Sequence, residues 1–279
     1  MTETKASFTG SIPEFYDRYL GSAWFDAYAK DIAARLPAKP PGDVLEVACG
    51  TGIVTQRLRQ RLDPSVRLVA SDLSPAMLGF ARAKLAGTPG IDFRQADVQQ
   101  LPFADAEFGA VVCNFGMMFF PDRAKALAEM RRVLREGGLL RFNVWDRIEA
   151  NPHALALAEL SDALFPDDPE MRQRFAFDMC DFDGLRALLS QAGFEAERIE
   201  LKRVAFELPQ ARDLATGLAR GTPRSLMYVE RGMALEDVVA KLEAKLAASG
   251  GAAPYRGNAQ AVVVEARAAK SATRSASRG

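Results

Sequence analysis

From Asp43 onward short apolar runs alternate with stretches that carry one apolar face, the pattern of strands and helices laid down in turn. Val44 to Val47 reads as a short buried strand that runs into Cys49-Gly50-Thr51-Gly52. Val54, Leu58 and Leu62 then recur at i, i+4 and i+8, so a helix with one buried face starts straight after the turn. Val66 to Ala70 predicts a second strand, and Ser74-Pro75 a cap and first turn for a helix facing inward through Leu78, Ala81 and Leu85. Ile91 to Gln95 and Phe108 to Cys113 read as the third and fourth strands. Pro121-Asp122 opens a helix with Leu127, Met130 and Leu134 on one face, ended by Gly137-Gly138, and Leu139 to Trp145 is the fifth strand. Such alternation with short links predicts an α/β domain whose doubly wound, mostly parallel sheet is covered on both faces.

The flanks follow other rules. Residues 11 to 36 read as an amphipathic helix crowded with Phe15, Tyr16, Tyr19, Trp24, Phe25 and Tyr28, stopped by the run from Pro37 to Gly42. After Trp145 come a helical stretch from Pro152 to Leu164, a Pro/Asp loop at 166 to 169, and a helix through Leu185, Leu188 and Leu189 that Gly193 ends. A strand from Glu197 to Leu208 shifts phase between Leu201 and Val204, which predicts a bulge there. The chain thus divides into a helical lid segment at 1–40, a cofactor-binding core at 41–146, a helical insertion at 147–180 and a core helix and strand at 181–208. A mostly helical substrate-side segment at 209–257, a last core strand at 258–267 around Ala261 to Ala266, and a disordered tail at 268–279 complete it.

Composition narrows the function. A chain of 279 residues with 48% hydrophobic content buries one full core plus extra elements. Lys+Arg and Asp+Glu both number 36, so the basic surplus usual in nucleic-acid binders is missing and a nucleic-acid partner is not expected. Three cysteines without a Cys-x-x-Cys pair and one histidine support neither a disulfide framework nor a metal site. No basic-then-apolar leader opens the sequence and no window approaches the roughly 18 apolar residues of a membrane span. The expectation is a cytoplasmic monomer or homodimer.

The loop after the first strand carries the chemistry. A strand, a glycine turn and a helix bring backbone N–H groups against a ligand. A dinucleotide fingerprint needs a third small residue, where this chain has Thr55. Glu46 sits inside a strand that is otherwise apolar, and burying a carboxylate costs several kcal/mol, roughly, unless it is paired. A cation or a set of donors is expected beside it. S-adenosylmethionine, with an ammonium, a sulfonium and a ribose diol but no phosphate, suits such a site. Asp72 closes the second strand 20 residues after Gly52, where a carboxylate can accept both ribose hydroxyls. Asp97 follows the third strand, placed to accept from an adenine amino group while Val98 packs on the ring. Asn114-Phe115 follows the fourth and offers carbonyls near the methionine end.

Taken in order, Val44 to Gly52, Ser71 to Leu78, Ala96-Asp97-Val98, Phe119 to Asp122 and Arg132 to Gly138 resemble the class I S-adenosylmethionine-dependent methyltransferases, within them the small-molecule branch of the ubiquinone/menaquinone biosynthesis C-methyltransferases. The resemblance covers about residues 43 to 145. It implies a seven-stranded Rossmann-like methyltransferase fold with a helical lid and an antiparallel last strand beside the fifth. It also implies S-adenosyl-L-methionine as cofactor, held by Glu46, Ala48, Cys49, Gly50, Gly52, Asp72, Leu73, Met77, Asp97, Val98, Asn114 and Phe115, with Tyr16 or Tyr19 facing it from the lid. Two departures stand out. The family's usual first loop glycine is Ala48 here, a mild change if φ there is negative. Asn114-Phe115 also replaces the Asn/Asp-Pro-Pro-aromatic motif used on exocyclic amines of bases.

The implied activity is methyl transfer to an O, N or C atom of a small, apolar or aromatic molecule under a lid that includes Trp145, Phe175, Phe177, Phe182 and Tyr228. No residue declares itself as a base. His153, Tyr16 and Tyr19 are the candidates, with His153 more readily read as a lid residue. Cys49 and Cys113 read as packed thiols. Arg220, Arg224 and Arg231 read as a solvated helix face, or else as a hold on an anionic substrate. Three alternatives differ in chemistry: a cofactor-binding cyclase or regulator without methyl transfer, an aminopropyl transferase, and an NAD-dependent oxidoreductase.

Overall fold

The computed structural model describes Phe8 and residues 10 to 270. Seven strands form one sheet: β1 (Asp43–Val47), β2 (Leu68–Asp72), β3 (Ile91–Gln95), β4 (Phe108–Asn114), β5 (Leu134–Trp145), β6 (Phe194–Leu208) and β7 (Tyr255–Ala268), in the order 3-2-1-4-5-7-6. All neighbours are parallel except that β7 runs antiparallel to both β5 and β6. The strand order reverses between β1 and β4, and ligands in such sheets bind outside the carboxyl ends at that switch point. One large core cluster lies on the face under the lid, around Leu45, Val111, Leu140 and Val262. A smaller one, with Val44, Leu58, Leu68 and Val112, lies on the other.

Helices follow the sequence pattern where signals are local. Gly52, at φ 76, starts α3 (Ile53–Arg61), and Ser74 accepts from Met77 N–H to cap α4 (Pro75–Lys84). Asp122 caps α5 (Arg123–Val133) through Lys125 N–H. That helix stops four residues short of Gly137, because Leu134 takes an extended ψ of 137° and pairs with Phe108 as the first residue of β5. The insertion holds α6 (Pro152–Leu164), a short turn at Phe175–Phe177 and α7 (Phe182–Gln191), while α8 (Ala211–Arg220), α9 (Arg224–Glu230) and α10 (Leu235–Gly250) lie between β6 and β7.

Four expectations are corrected. The N-terminal helix is not uniform: α1 (Ile12–Phe15) and α2 (Asp26–Ala34) are joined by a ten-residue π-helical stretch, Tyr16–Phe25. The irregularity in β6 falls between Ala196 and Arg198, and pairing from Leu201 to Val204 is unbroken. Leu201 merely points outward, 51% exposed, which mimics a phase change. The last strand begins at Tyr255 and reaches Ala268, which is buried against Phe194 and not part of a loose tail. The remainder of that tail, 271–279, lies outside the described residues.

Candidate cofactor and acceptor site

The loop after β1 and the end of β4 border a cavity of about 30 Å³ lined by Glu46, Ala48, Cys49, Gly50, Thr51, Asn114, Ile53 and Val54 and by Tyr16 and Phe25 of the π-helical stretch. Glu46 is 1% exposed and meets no cation among the described residues: the Thr55 hydroxyl donates to its Oε2 at 2.6 Å. The residue that breaks the dinucleotide fingerprint is thus the partner of the strand acid. Burial pushes the Glu46 carboxyl up to about 8, with Asp72 adding to it against the Thr55 bond. Glu46 is therefore mostly neutral near pH 7.

The loop is tied to β2 from two sides. Asp72 Oδ2 accepts from Gly50 N–H at 2.8 Å and its Oδ1 from Ser74 N–H at 2.8 Å, while Ser71 Oγ donates to the Glu46 carbonyl at 3.0 Å. Burial raises Asp72 above the usual carboxylate range despite these N–H bonds. A Cβ added at Gly50 would meet nothing within 4 Å, so the loop is open toward the cavity, and buried Thr51 Oγ1 has no partner among the described residues. Together these features suit a small polar ligand resting against backbone. Ala48 has φ 53, so the negative φ that would make it a mild replacement for glycine is not found.

Among the adenine-side candidates, Leu73 is 63% exposed, Met77 and Val98 are buried, and Asp97 Oδ1 accepts from Gln99 N–H at 2.8 Å. On β4, Asn114 Oδ1 accepts from Asn143 Nδ2 of β5 at 2.7 Å, and Phe115 follows at φ 57. Asn143, fully buried, was not singled out in the sequence, although a polar residue within an apolar strand is the same signal that marked Glu46. Tyr16 faces the cavity, and burial, with Asp17 and Asp72 nearby, raises its phenol. Tyr19 stacks on Phe15, and its Cβ lies where a side chain at Gly217 of α8 would sit, so it belongs to the lid's packing and not to the cavity wall.

Behind Phe25 stands an aromatic block. Trp145 stacks on Phe115 at 4.1 Å and Trp24 on His153 at 4.2 Å, and Phe177 and Phe206 close its sides. Burial lowers His153 to about 4, so its ring is neutral and a poor proton carrier. Phe175 meets Phe119 at the rim, whereas Tyr228 is buried on Ser161 within the lid and Phe182 opens α7. Burial raises Cys49 well above its ordinary value and pushes Cys113 up to about 12, so neither thiol is a nucleophile. The arginines tie segments of the lid to one another, Arg231 and Arg224 partly buried and the Arg220–Glu236 pair at the exposed surface. Arg231 pairs with Asp168 at 2.6 Å and Glu170 at 2.7 Å, Arg224 donates to the Met171 and Gln173 carbonyls, and Arg220 pairs with Glu236. Among the described residues no group of His, Cys, Asp or Glu could hold a metal ion, and no helix is long and apolar enough to cross a membrane.

A family model for the methyltransferase domain matches residues 44–138. A demethylmenaquinone methyltransferase of Deinococcus radiodurans is 45% identical over 134 residues, 47% of this chain and 55% of the relative. A ubiquinone/menaquinone biosynthesis C-methyltransferase of Stenotrophomonas maltophilia is 30% identical over 182 residues, 61% of this chain and 72% of the relative. The chain belongs to the class I S-adenosylmethionine-dependent methyltransferases. Its cofactor is accordingly S-adenosyl-L-methionine, and the nicotinamide reading falls away. In fold alone the methyltransferase resembles BH2331 of Bacillus halodurans (TM-score 0.56, 23% identity, 88% of this chain and 99% of the other). It likewise resembles the [4+2]-cyclase SpnF (TM-score 0.55, 20% identity, 88% and 80%). The match to the Deinococcus relative spans about half of that protein's length.

Proposed function

We propose that this methyltransferase moves the methyl group of S-adenosylmethionine to a small aromatic acceptor of the quinol type. The observation that carries this reading is the aromatic surround of the cofactor loop: Tyr16 and Phe25 line the cavity, and Phe115, Trp145 and Trp24 pack ring against ring behind Phe25. The Deinococcus and Stenotrophomonas relatives, a demethylmenaquinone methyltransferase and a ubiquinone/menaquinone biosynthesis C-methyltransferase, point to the same class.

The cofactor supplies an electrophilic methyl on a sulfonium, and the residues present fit it. Gly50 lets the backbone approach the methionine portion, while Gly52 packs against Ala81 and Leu85 of α4; Glu46 and Thr51 offer polar atoms there, Asp72 takes the ribose diol, and Asp97 with Val98 takes adenine. Asn114 and Phe115 border the reacting end. Acceleration then rests on holding acceptor and methyl in line and on excluding water under Tyr16 and Phe25. The test is calorimetric titration with S-adenosylmethionine, followed by product analysis with a panel that includes a reduced naphthoquinone. Methylated naphthol product supports the reading. Cofactor binding with no methylated product across phenolic, amine and carboxylate acceptors would instead favour a non-methylating member of the fold, and a decarboxylated-cofactor product an aminopropyl transferase.

A further inference from the structure

The hydrogen bond between Asn114 and Asn143 has a direction. The two residues are register partners at the end of β4, and Asn143 Nδ2 donates to Asn114 Oδ1 at 2.7 Å. Asn114 is half-buried and lines the cofactor cavity, and its own Nδ2 has no partner among the described residues. The backbone beside it is fixed. Phe115 N–H donates to the Asn143 carbonyl at 3.0 Å, and a Cβ added at Gly116 would stand 2.7 Å from Ala48 Cβ of the glycine loop and 2.8 Å from Cys113 Sγ. What is left to set is which end of the Asn114 amide is free for a ligand. With Oδ1 engaged on β5, the free end is the N–H2, a pair of donors. Asn143 does this at a cost: it is wholly buried between Phe142 and Val144, and its own Oδ1 has no partner among the described residues. A leucine there would fill the strand without leaving a buried acceptor unmet, so the asparagine is accounted for by what it does to Asn114.

We propose that Asn143 is a positioning residue that holds Asn114 as a hydrogen-bond donor, so that the site reads a lone pair on an oxygen of the methyl acceptor and disfavours an amine. An aryl oxygen accepts from the N–H2. An aryl amine, whose lone pair is drawn into the ring, sets its own N–H groups against those of Asn114, and two facing donors leave both unmet. An asparagine free to turn would serve either. The role of Asn143 rests on the aromatic-acceptor reading and adds to it which atom of the acceptor is read and what fixes the polarity of the reader. The cofactor's carboxylate carries the same lone pairs, and the test separates the two oxygens.

Equilibrium dialysis of 1-naphthol and of 1-naphthylamine against the full chain saturated with S-adenosylhomocysteine tests it. One hydrogen bond of the right polarity predicts that naphthol binds roughly fivefold more tightly. Asn114→Leu is expected to abolish that preference. Asn143→Leu frees the Asn114 amide to turn, so naphthylamine should bind more tightly than it does to the unmodified chain, whereas lost packing alone would weaken both probes. Added to Asn114→Leu, it should change the preference no further. Asn143→Thr, suited to a strand and one bond too short to reach Asn114 Oδ1, gives the same readout if the leucine variant does not fold, and a cooperative thermal melt checks each variant. Equal binding of the two probes to the unmodified chain overturns the inference, as does an Asn143 variant that weakens both or leaves the preference intact. Loss of S-adenosylhomocysteine affinity in Asn114→Leu with the preference unchanged also overturns it, and gives the amide to the cofactor's carboxylate. Binding of neither probe would count against the aromatic-acceptor reading itself, and the role of Asn143 would fall with it.

Discussion

Single residues in the glycine loop carry measurable strain and charge. Ala48 holds φ 53, a conformation that costs an L-residue roughly 1–2 kcal/mol, part of which glycine returns as extra freedom of the unfolded chain. Ala48→Gly is therefore expected to raise stability by about 0.5 kcal/mol, read from urea unfolding midpoints. Glu46 and His153 titrate with opposite effects. Burial raises Glu46 to about 8, so between its ordinary 4.5 and 8 the folded state binds more protons than the unfolded chain. Stability must then fall as pH rises through that window, fully present below it. Burial lowers His153 to about 4 from 6.5, so here the folded state binds fewer protons and stability is lost as pH falls from 6.5 toward 4. Glu46→Gln should flatten the loss on the alkaline side and His153→Phe the loss on the acid side, in thermal melts from pH 4 to 9. A curve unchanged in Glu46→Gln would mean that Glu46 is ionised at neutral pH.

At the scale of elements, the N-terminal helix and its π-helical stretch form the roof of the site. Tyr16 and Phe25 stand over the glycine loop, and Phe8 reaches back so that its carbonyl accepts from Ser74 Oγ at 3.0 Å while its ring meets Tyr16 and Phe119. The cavity beneath, about 30 Å³, is far smaller than the several hundred cubic ångströms of a typical ligand pocket. Cofactor entry therefore requires this roof to lift, and π-helical turns recur where a helix serves a functional site. Amide exchange across 16 to 25 is expected to be faster in the free protein than across α3 and to slow when S-adenosylhomocysteine binds. Tyr16→Ala, which thins the roof, should lower kcat roughly tenfold while changing cofactor affinity much less, since water exclusion and not contact area is lost. A variant that loses affinity and keeps kcat would assign Tyr16 to cofactor binding alone. The strand, loop and helix from Val44 to Leu62, the Ser74 cap and the acid at Asp72 were legible because each rests on neighbours within a few positions. The roof's π geometry and the Asn114–Asn143 bond across two strands were not, since both depend on what packs against them from afar.

At the scale of the molecule, the sheet is held shut on its late side by charge as well as by packing. β7 enters between β5 and β6, so the end of the chain completes the core that its middle begins. Arg141 of β5, buried at 5% exposure, reaches Glu265 of β7 at 3.2 Å and Glu197 of β6 at 3.3 Å. Arg35, just beyond α2, meets the same Glu265 at 2.8 Å, with Asp31 at 2.6 Å and Glu200 at 2.7 Å. Both guanidiniums thus serve one carboxylate, a network foreshadowed only by a lone arginine in an apolar strand. Removing one partner of a buried pair costs about 3–5 kcal/mol when the other is left uncompensated. Here Glu265 keeps a second cation, so Arg141→Met and Arg35→Met should each cost less than that, about 1–2 kcal/mol. The double variant leaves the carboxylate only the exposed Arg198 at 3.8 Å, and its loss should exceed the sum of the singles by about 1 kcal/mol. Urea unfolding of the four proteins measures this directly. Strict additivity would show that the two arginines act separately, one on the β5–β6 span and one on the helix, and that the late strands are joined by their backbone ladder and apolar faces alone.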